Sequence, residues 1–221
     1  MLAHNEEISI GYTIDSVLNN KLDRPFELNL IANGCNDLTV TIAKKIAGDK
    51  INIKHIEKAS KPNAWNYAME TSKSPFIGFI DADVIINKNT LEGLCKKLEE
   101  NPCLKVVNPK KEANYENASF FMKKVYDTYH LRNRPMLNGA IYIGKKNFFD
   151  GIYPMPKIIY DDLYVALHVS NSEFSDVEGT KVTWKEPENI YDFLKLRKRI
   201  ECGRLQLKNL ERKYKTRLRF S

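Results

Sequence analysis

The sequence predicts an α/β domain built on a mainly parallel sheet with helices covering both faces. Segments of strand and helix character alternate through the first half of the chain. One of them, Phe76–Ile80 (FIGFI), is the short unbroken apolar run of a strand buried on both sides. The composition, 43% hydrophobic and 29% charged, is that of an ordinary globular chain and argues against general disorder. At 221 residues the chain is expected to form a single domain with a core large enough to fold without a disulfide or metal staple.

Each element has its own signature. Glu6–Leu18 places Ile10, Ile14, Val17 and Leu18 on one helical face. Only Met1, Leu2 and Ala3 stand before the polar His4–Asn5 that lead into it, so a first strand is either two or three residues long or missing from the sequence. Glu27–Ala32 (ELNLIA) reads as a strand, and Asp37 stands where it would cap a helix running to Ile46. Ile51–Ile56 alternates as a strand, a helix is expected from about Pro62 to Ser72, and Phe76–Ile80 follows. Asn89 then caps a helix through Glu100, and Leu104–Val107 returns as a strand. This β-α-β-α order implies parallel strands joined by crossover helices. After Pro109 the alternation loosens. A loop, Met136–Ala140, leads into a strand at Ala140–Ile143, and a helical stretch follows Asp161 and Asp162.

The charge is unevenly placed. Residues Tyr191–Ser221 hold eleven Lys/Arg and three Asp/Glu, a local +8, so the other 190 residues, with 24 basic and 25 acidic, carry −1. Within this tail Leu207, Leu210, Tyr214 and Leu218 recur at three- and four-residue steps, the pattern of an amphipathic cationic helix. It suits either an anionic membrane leaflet or a packed helix with a wet basic face. No nucleic-acid recognition module accompanies the charge, so nucleic acid is not an expected partner. The four cysteines, Cys35, Cys95, Cys103 and Cys202, are scattered without a CxxC pair, which argues against a zinc cage and fits a reducing compartment. No apolar run approaches the roughly 20 residues that span a bilayer, and the first residues contain no signal-peptide core. The expected location is cytoplasmic, with a peripheral place on the inner leaflet if the tail binds lipid.

Four segments carry chemistry. In Phe76–Asp83 an apolar strand ends in Asp81 and Asp83, separated by the small Ala82. Ligands of open α/β sheets bind at the carboxyl ends of strands. Hard carboxylate oxygens there suit Mg²⁺ or Mn²⁺ bridging the phosphates of a nucleotide; equally, two aspartates at a strand end can simply make a turn. The polar clusters Ala3–Glu7 (AHNEE) and Asn33–Thr39 (NGCNDLT) sit at helix starts and either offer N–H groups to a nucleotide or cap their own helices. In Lys61–Ala68 (KPNAWNYA), Lys61 at the helix mouth is placed for a phosphate or base edge, and Asn66 for bracing a neighbouring loop. Trp65 and Tyr67 read as packing residues.

The succession AHNEE, NGCNDLT, KPNAWNYAM and FIDADV resembles the family 2 glycosyltransferases of the GT-A fold, whose strand-end motifs follow in this order. The resemblance covers the first 110 residues or so well and the remainder loosely. It implies a nucleotide-sugar-binding half at 1–110, an acceptor and catalytic-base half at 111–190, and the basic helix at 191–221. Carried over by position, it implies that Asp83 ligates the cation and that Asp81 and Ala82 face the ribose side. His4 and Glu6 would line the nucleotide pocket, and Lys61 would sit beside base and phosphates. Asn33 stands where many relatives have a base-reading aspartate, which leaves the nucleobase open, with UDP the family's usual choice. Asp161–Asp162 resembles the family's acidic pair at a helix start, making Asp162 the base and Asp161 its neighbour and alternative; adjacent acids also suit a helix N-terminus through its dipole. Asn138 and Gly139 would lie under sugar and acceptor. In Leu196–Ile200 (LRKRI) only Arg199 survives of the QxxRW motif of processive synthases, so a single transfer is expected, with Arg199 facing the leaving diphosphate.

The implied activity is an inverting transfer of one sugar from a nucleotide-sugar donor, with Mn²⁺ or Mg²⁺, to a hydroxyl of a glycan or lipid-linked acceptor. Two alternatives are a catalytically silent, membrane-associated nucleotide-binding protein on the same scaffold and, more remotely, a sugar nucleotidyltransferase. The latter lacks the Gly-rich phosphate loop it would need near the N-terminus.

Overall fold

The computed structural model describes residues 1–130, 137 and 139–214. Three parallel strands, β1 (Leu2–Ala3), β2 (Leu28–Asn33) and β3 (Ile51–Ile56), pair in that order. Five more, β4 (Phe76–Ile80), β5 (Val84–Ile86), β6 (Val106–Asn114), β7 (Ile141–Lys145) and β8 (Phe174–Lys185), pair in the order β4-β7-β6-β8-β5. A parallel bridge between Leu2 and Asp81 joins the two sets at the end of β4. The expected parallel character holds for all but β5 and β7, which run against their neighbours.

Helices cover the sheet on both faces. On one, α1 (Ile10–Leu18) buries Ile10, Ile14 and Val17 together with Leu94 and Leu98 of α4 (Thr90–Glu100), while α2 (Thr39–Ala47) packs alongside. On the other, α3 (Lys61–Thr71) buries Ala64, Trp65 and Met69 against α6 (Lys146–Ile152) and α7 (Asp161–Leu167). Trp65 is the packing residue it was expected to be: its ring stacks on Phe79 at 5.0 Å and its Nε1 donates to the Tyr142 hydroxyl at 3.1 Å. Asn66 braces a loop, accepting from Met155 N at 2.7 Å and donating to Met155 O at 3.0 Å.

Several boundaries differ from expectation. The first strand exists and has two residues. Helix α1 starts at Ile10 instead of Glu6, because the backbones of Glu6 and Glu7 donate sideways to Thr39 and Asp37. Strand β6 continues past Pro109 to Asn114. Pro109 has no donor to give a sheet ladder and is tolerated at an irregularity. Here Pro109 pairs with Val177 but Lys110 with Lys181, so Glu178–Thr180 of β8 bulge out, with Gly179 at φ +76° supplying the turn. Beyond that bulge the sheet curls. Strand β5 pairs with the far half of β8, Val84 opposite Trp184, although only Asp81, Ala82 and Asp83 separate it from β4 at the other border. The two borders of the five-stranded order therefore meet at those three residues.

Of the two forms expected for the tail, the helix packed on the domain is the one seen. Helix α8 (Ile190–Tyr214) lies on the domain. Leu207 is fully buried, Leu210 packs beside it, and Gln206 Oε1 accepts from Ile159 N at 2.8 Å. Gly203 sits against Tyr160, where a Cβ would approach to 3.0 Å. The apolar stripe predicted from Leu207 and Leu210 is thus spent on the protein's own core and is not a free membrane face; Leu218 lies outside the described residues. Near the start of α8, Tyr126 of α5 (Phe120–His130) packs edge-on to Phe193 at 5.8 Å. Among the described residues no helix is long and apolar enough to cross a membrane.

Candidate active site

The tip of β4 is held in place from three sides. Asp81 N donates to Ala140 O at 3.0 Å, the buried Thr13 hydroxyl donates to Ala82 O at 2.9 Å, and Leu2 bridges to Asp81. This fixes the backbone so that Asp81 and Asp83 face a cleft of about 700 Å³ while Ala82 turns into the core at 2% exposure. Ala82 was expected to face the nucleotide. Its burial and its bonded carbonyl give it a structural place instead.

Across the cleft, α7 begins with the acidic pair. Asp161 is buried, its side chain 6% exposed, and ion-pairs with Lys61 Nζ at 3.0 Å; Lys61 also meets Asp81 Oδ1 at 2.8 Å. Asp162 Oδ1 accepts from Leu163 N at 2.8 Å, and its Oδ2 lies over Gly139, where a Cβ would stand only 2.8 Å away. Only glycine leaves that carboxylate its position. Burial, reinforced by Asp161, pushes Asp162 up to about 7. Burial pushes Asp81 up to about 6 against the pull of Lys61. Burial and then Glu6 raise Asp83, with Lys61 and Arg199 pulling the other way. Burial disfavours the charge on Lys61, but Asp161 and Asp81 overcome it and hold the amine above its ordinary value.

The expected site residues sort into three groups. Lys61, Asp81, Asp83, Gly139, Asp161, Asp162 and Arg199 line one cleft. His4, Glu6 and Asn33 stand beside it rather than in it. His4 Nδ1 donates to Asn33 O at 2.7 Å, Asn33 Oδ1 accepts from Ser60 N at 2.6 Å, and Glu6, whose Oε2 accepts from Ser9 Oγ at 2.7 Å, acts on Asp83 through its charge. Asn138 lies outside the described residues. The N–H groups expected to greet a nucleotide in the two polar loops are largely used between those loops. Glu6 N donates to Thr39 Oγ1 at 2.7 Å, Asn36 N to Asn5 Oδ1 at 2.9 Å, and Leu38 N to Glu7 Oε2 at 3.0 Å.

Sequence reasoning missed Lys111, Tyr160, Trp184 and Arg197, all of which line the cleft. Strand β8 was not anticipated, although Val182 and Trp184 alternate with Lys181, Thr183 and Lys185. Among the described residues no cluster of three or more candidate metal ligands exists. A cation that keeps waters and takes its remaining ligands from substrate phosphates needs only one or two carboxylates. Asp83, in a cleft floor where Asp81, Asp161 and Asp162 gather around Lys61, fits that donor set.

The family model for glycosyl transferase family 2 matches residues 1–153. The chain belongs to glycosyl transferase family 2. Its fold, an α/β sheet of the GT-A type, is shared with S. aureus TarS 1–349 in complex with UDP-GlcNAc (TM-score 0.64, 16% identity, covering 85% of this chain and 58% of that one). It is shared too with the mannosyltransferase PcManGT from Pyrobaculum calidifontis in complex with GDP-Man and Mn²⁺ (TM-score 0.67, 17% identity, covering 89% and 59%). The chain thus spans less than two thirds of these relatives' length. No curated protein matches. The family match takes in Asp81, Asp83 and Gly139 and ends before the Asp161–Asp162 pair and α8.

Proposed function

We propose that this family 2 glycosyltransferase moves one sugar from a nucleotide-sugar donor, by preference a UDP-sugar, to an acceptor hydroxyl with inversion. The observation carrying the reading is the convergence of strand-end acids Asp81 and Asp83 and helix-start acid Asp162 on one cleft. Asp162 Oδ2 takes the acceptor's proton as its oxygen bonds to the anomeric carbon. The bond from that carbon to the nucleotide's terminal phosphate oxygen breaks, and its electron pair leaves with the diphosphate. Arg199, which lines the cleft and acts on Asp83 through its charge, faces that diphosphate. Asp161 is a positioning residue: buried and bonded to Lys61, it fixes the lysine that in turn holds Asp81. Asp83 would hold Mn²⁺ or Mg²⁺, which when bound offsets negative charge on the departing diphosphate. The complex of PcManGT with GDP-Man and Mn²⁺ supports this choice.

A cytoplasmic, peripheral membrane location is part of the same reading, through a surface other than the predicted stripe. Phe120 and Phe121 at the start of α5 are 76% and 62% exposed, and Tyr191 and Leu194 of α8 are 74% and 58% exposed. Ser119 N donates to Glu188 O at 3.1 Å, which sets the two helix starts side by side. Lys124 lies 4.7 Å from the Phe120 ring centroid, and Lys123, Lys195 and Lys198 are near in sequence, a mixture that suits an anionic leaflet.

In Asp162→Asn, transfer is expected to fall by roughly 10³-fold while UDP with Mn²⁺ still raises the melting temperature as in the parent. Unchanged turnover would remove Asp162 from the role. UDP binding in the parent with no transfer to any of a panel of hydroxyl acceptors would favour the silent binding protein.

A further inference from the structure

Lys111 belongs to the half of β6 beyond the bulge and lines the same cleft as Asp162. Among the described residues it has no carboxylate within ion-pairing distance, whereas Lys110 beside it pairs with Glu178 at 2.8 Å. Burial lowers its pKa, and Asp162 and Asp176 only partly restore it, acting at longer range. A desolvated ammonium without a partner is costly unless something arrives to pair with it. The strand register puts an aromatic surface next to it. Lys111 pairs with Val182 and Ala113 with Trp184, so Lys111 and Trp184 project on one face, two residues apart along adjoining parallel strands. Trp184 lines the cleft, and its Nε1 donates to Glu186 Oε1 at 3.2 Å, which pins the ring. Val84, next to Asp83, pairs with Trp184 from the other side.

We propose that Lys111 and Trp184 form an acceptor subsite for an anionic sugar or polyol. The carbon skeleton lies on the indole, a phosphate or carboxylate meets the Lys111 ammonium, and a neighbouring hydroxyl reaches Asp162. The proposal rests on the donor reading above, in which Asp83 and Arg199 serve the nucleotide diphosphate, so that Lys111 is left for a different anion. It makes this enzyme a modifier of negatively charged acceptors and predicts poor use of neutral ones.

Tryptophan fluorescence tests this without any transfer reaction. The chain has two tryptophans; Trp65 is fully buried and Trp184 faces the cleft. With UDP and Mn²⁺ present, glycerol 3-phosphate and glucuronate are titrated against glycerol and glucose. The charged probes are expected to change the emission saturably, the phosphate and the carboxylate arms showing which anion is preferred. Trp184→Phe removes the signal, Lys111→Gln weakens binding about tenfold or more, and Lys111→Arg retains it. UDP affinity, read by thermal shift, stays unchanged in Lys111→Gln. Equal binding of charged and neutral probes would overturn the subsite, as would full anion binding by Lys111→Gln. Loss of UDP binding in a folded Lys111→Gln would also overturn it, since the lysine would then serve the donor. If the parent fails to bind UDP at all, the donor reading itself fails, a result distinct from each of these.

Discussion

As the proposed base, Asp162 has two opposed demands placed on it, since a base must be ionised to act and its surroundings disfavour the ionised form. With its pKa pushed up to about 7 by burial and by Asp161, the carboxylate is a much better proton acceptor than an ordinary aspartate, and it is available only above that pH. The rate constant kcat/KM is expected to rise about tenfold per pH unit up to about 7 and then level off, as measured by initial rates from pH 5 to 8.5. A flat profile down to pH 5 would show an ordinary carboxylate and discard this account of the base. Linkage gives the same group a stability signature. Its folded pKa lies above the unfolded value of 3.8, so the native state binds the proton more tightly and this group's contribution improves as pH falls from 8 to 5. The melting temperature of Asp162→Asn should therefore exceed the parent's at pH 8 and approach it at pH 5.

At the scale of elements, Lys61 joins three of them. It opens α3 behind the Ser60 cap, whose Oγ accepts from Asn63 N, and it bonds Asp81 at the end of β4 and Asp161 at the start of α7. Lys61→Met is expected to cost about 3 kcal/mol at pH 8 by stranding the buried Asp161 and its neighbour Asp81, and to cost less at pH 5, below the value of about 6 to which burial pushes Asp81. Urea denaturation at the two pH values measures it; an equal loss at both would mean the lysine matters for packing and not for charge. Here the limits of the sequence are also plain. FIGFIDAD announces its strand and acids because a buried apolar run stops at a carboxylate, and the acids of α7 announce a helix start. The partnership of Lys61 with two acids, one of them a hundred residues away in the chain, has no local signature. Neither has the second half of β6, where PKKEAN (Pro109–Asn114) alternates no apolar residues and is a strand only because β8 pairs with it past a bulge. Lys111 and Trp184 were lost for that reason. Asn33, legible as a departure from the family, proves to spend its amide oxygen on Ser60 N, a contact no spacing rule foresees.

For the whole molecule, the question is which surface meets its surroundings. Packing of Leu207 and Leu210 commits one side of α8 to the protein, and leaves the aromatic and lysine rim of α5 and α8 on the side of the cleft lined by Phe193 and Leu196. Sedimentation with phosphatidylglycerol vesicles is expected to carry the protein down, with phosphatidylcholine vesicles failing to do so, and Phe120→Ser with Phe121→Ser should abolish most of that recovery. Undiminished recovery of the double variant would assign lipid binding to another surface.

The closed order of the five strands has a further consequence. Their two borders are tied by three residues, so the link has no slack, and flattening β6 and β8 anywhere along their length must pull on Asp81 and Asp83. Where Asp81 and Asp83 stand in the cleft and how sharply the strands bend are therefore linked. The dial sits at Gly179, five residues back along β8 from Trp184 and clear of every reacting atom.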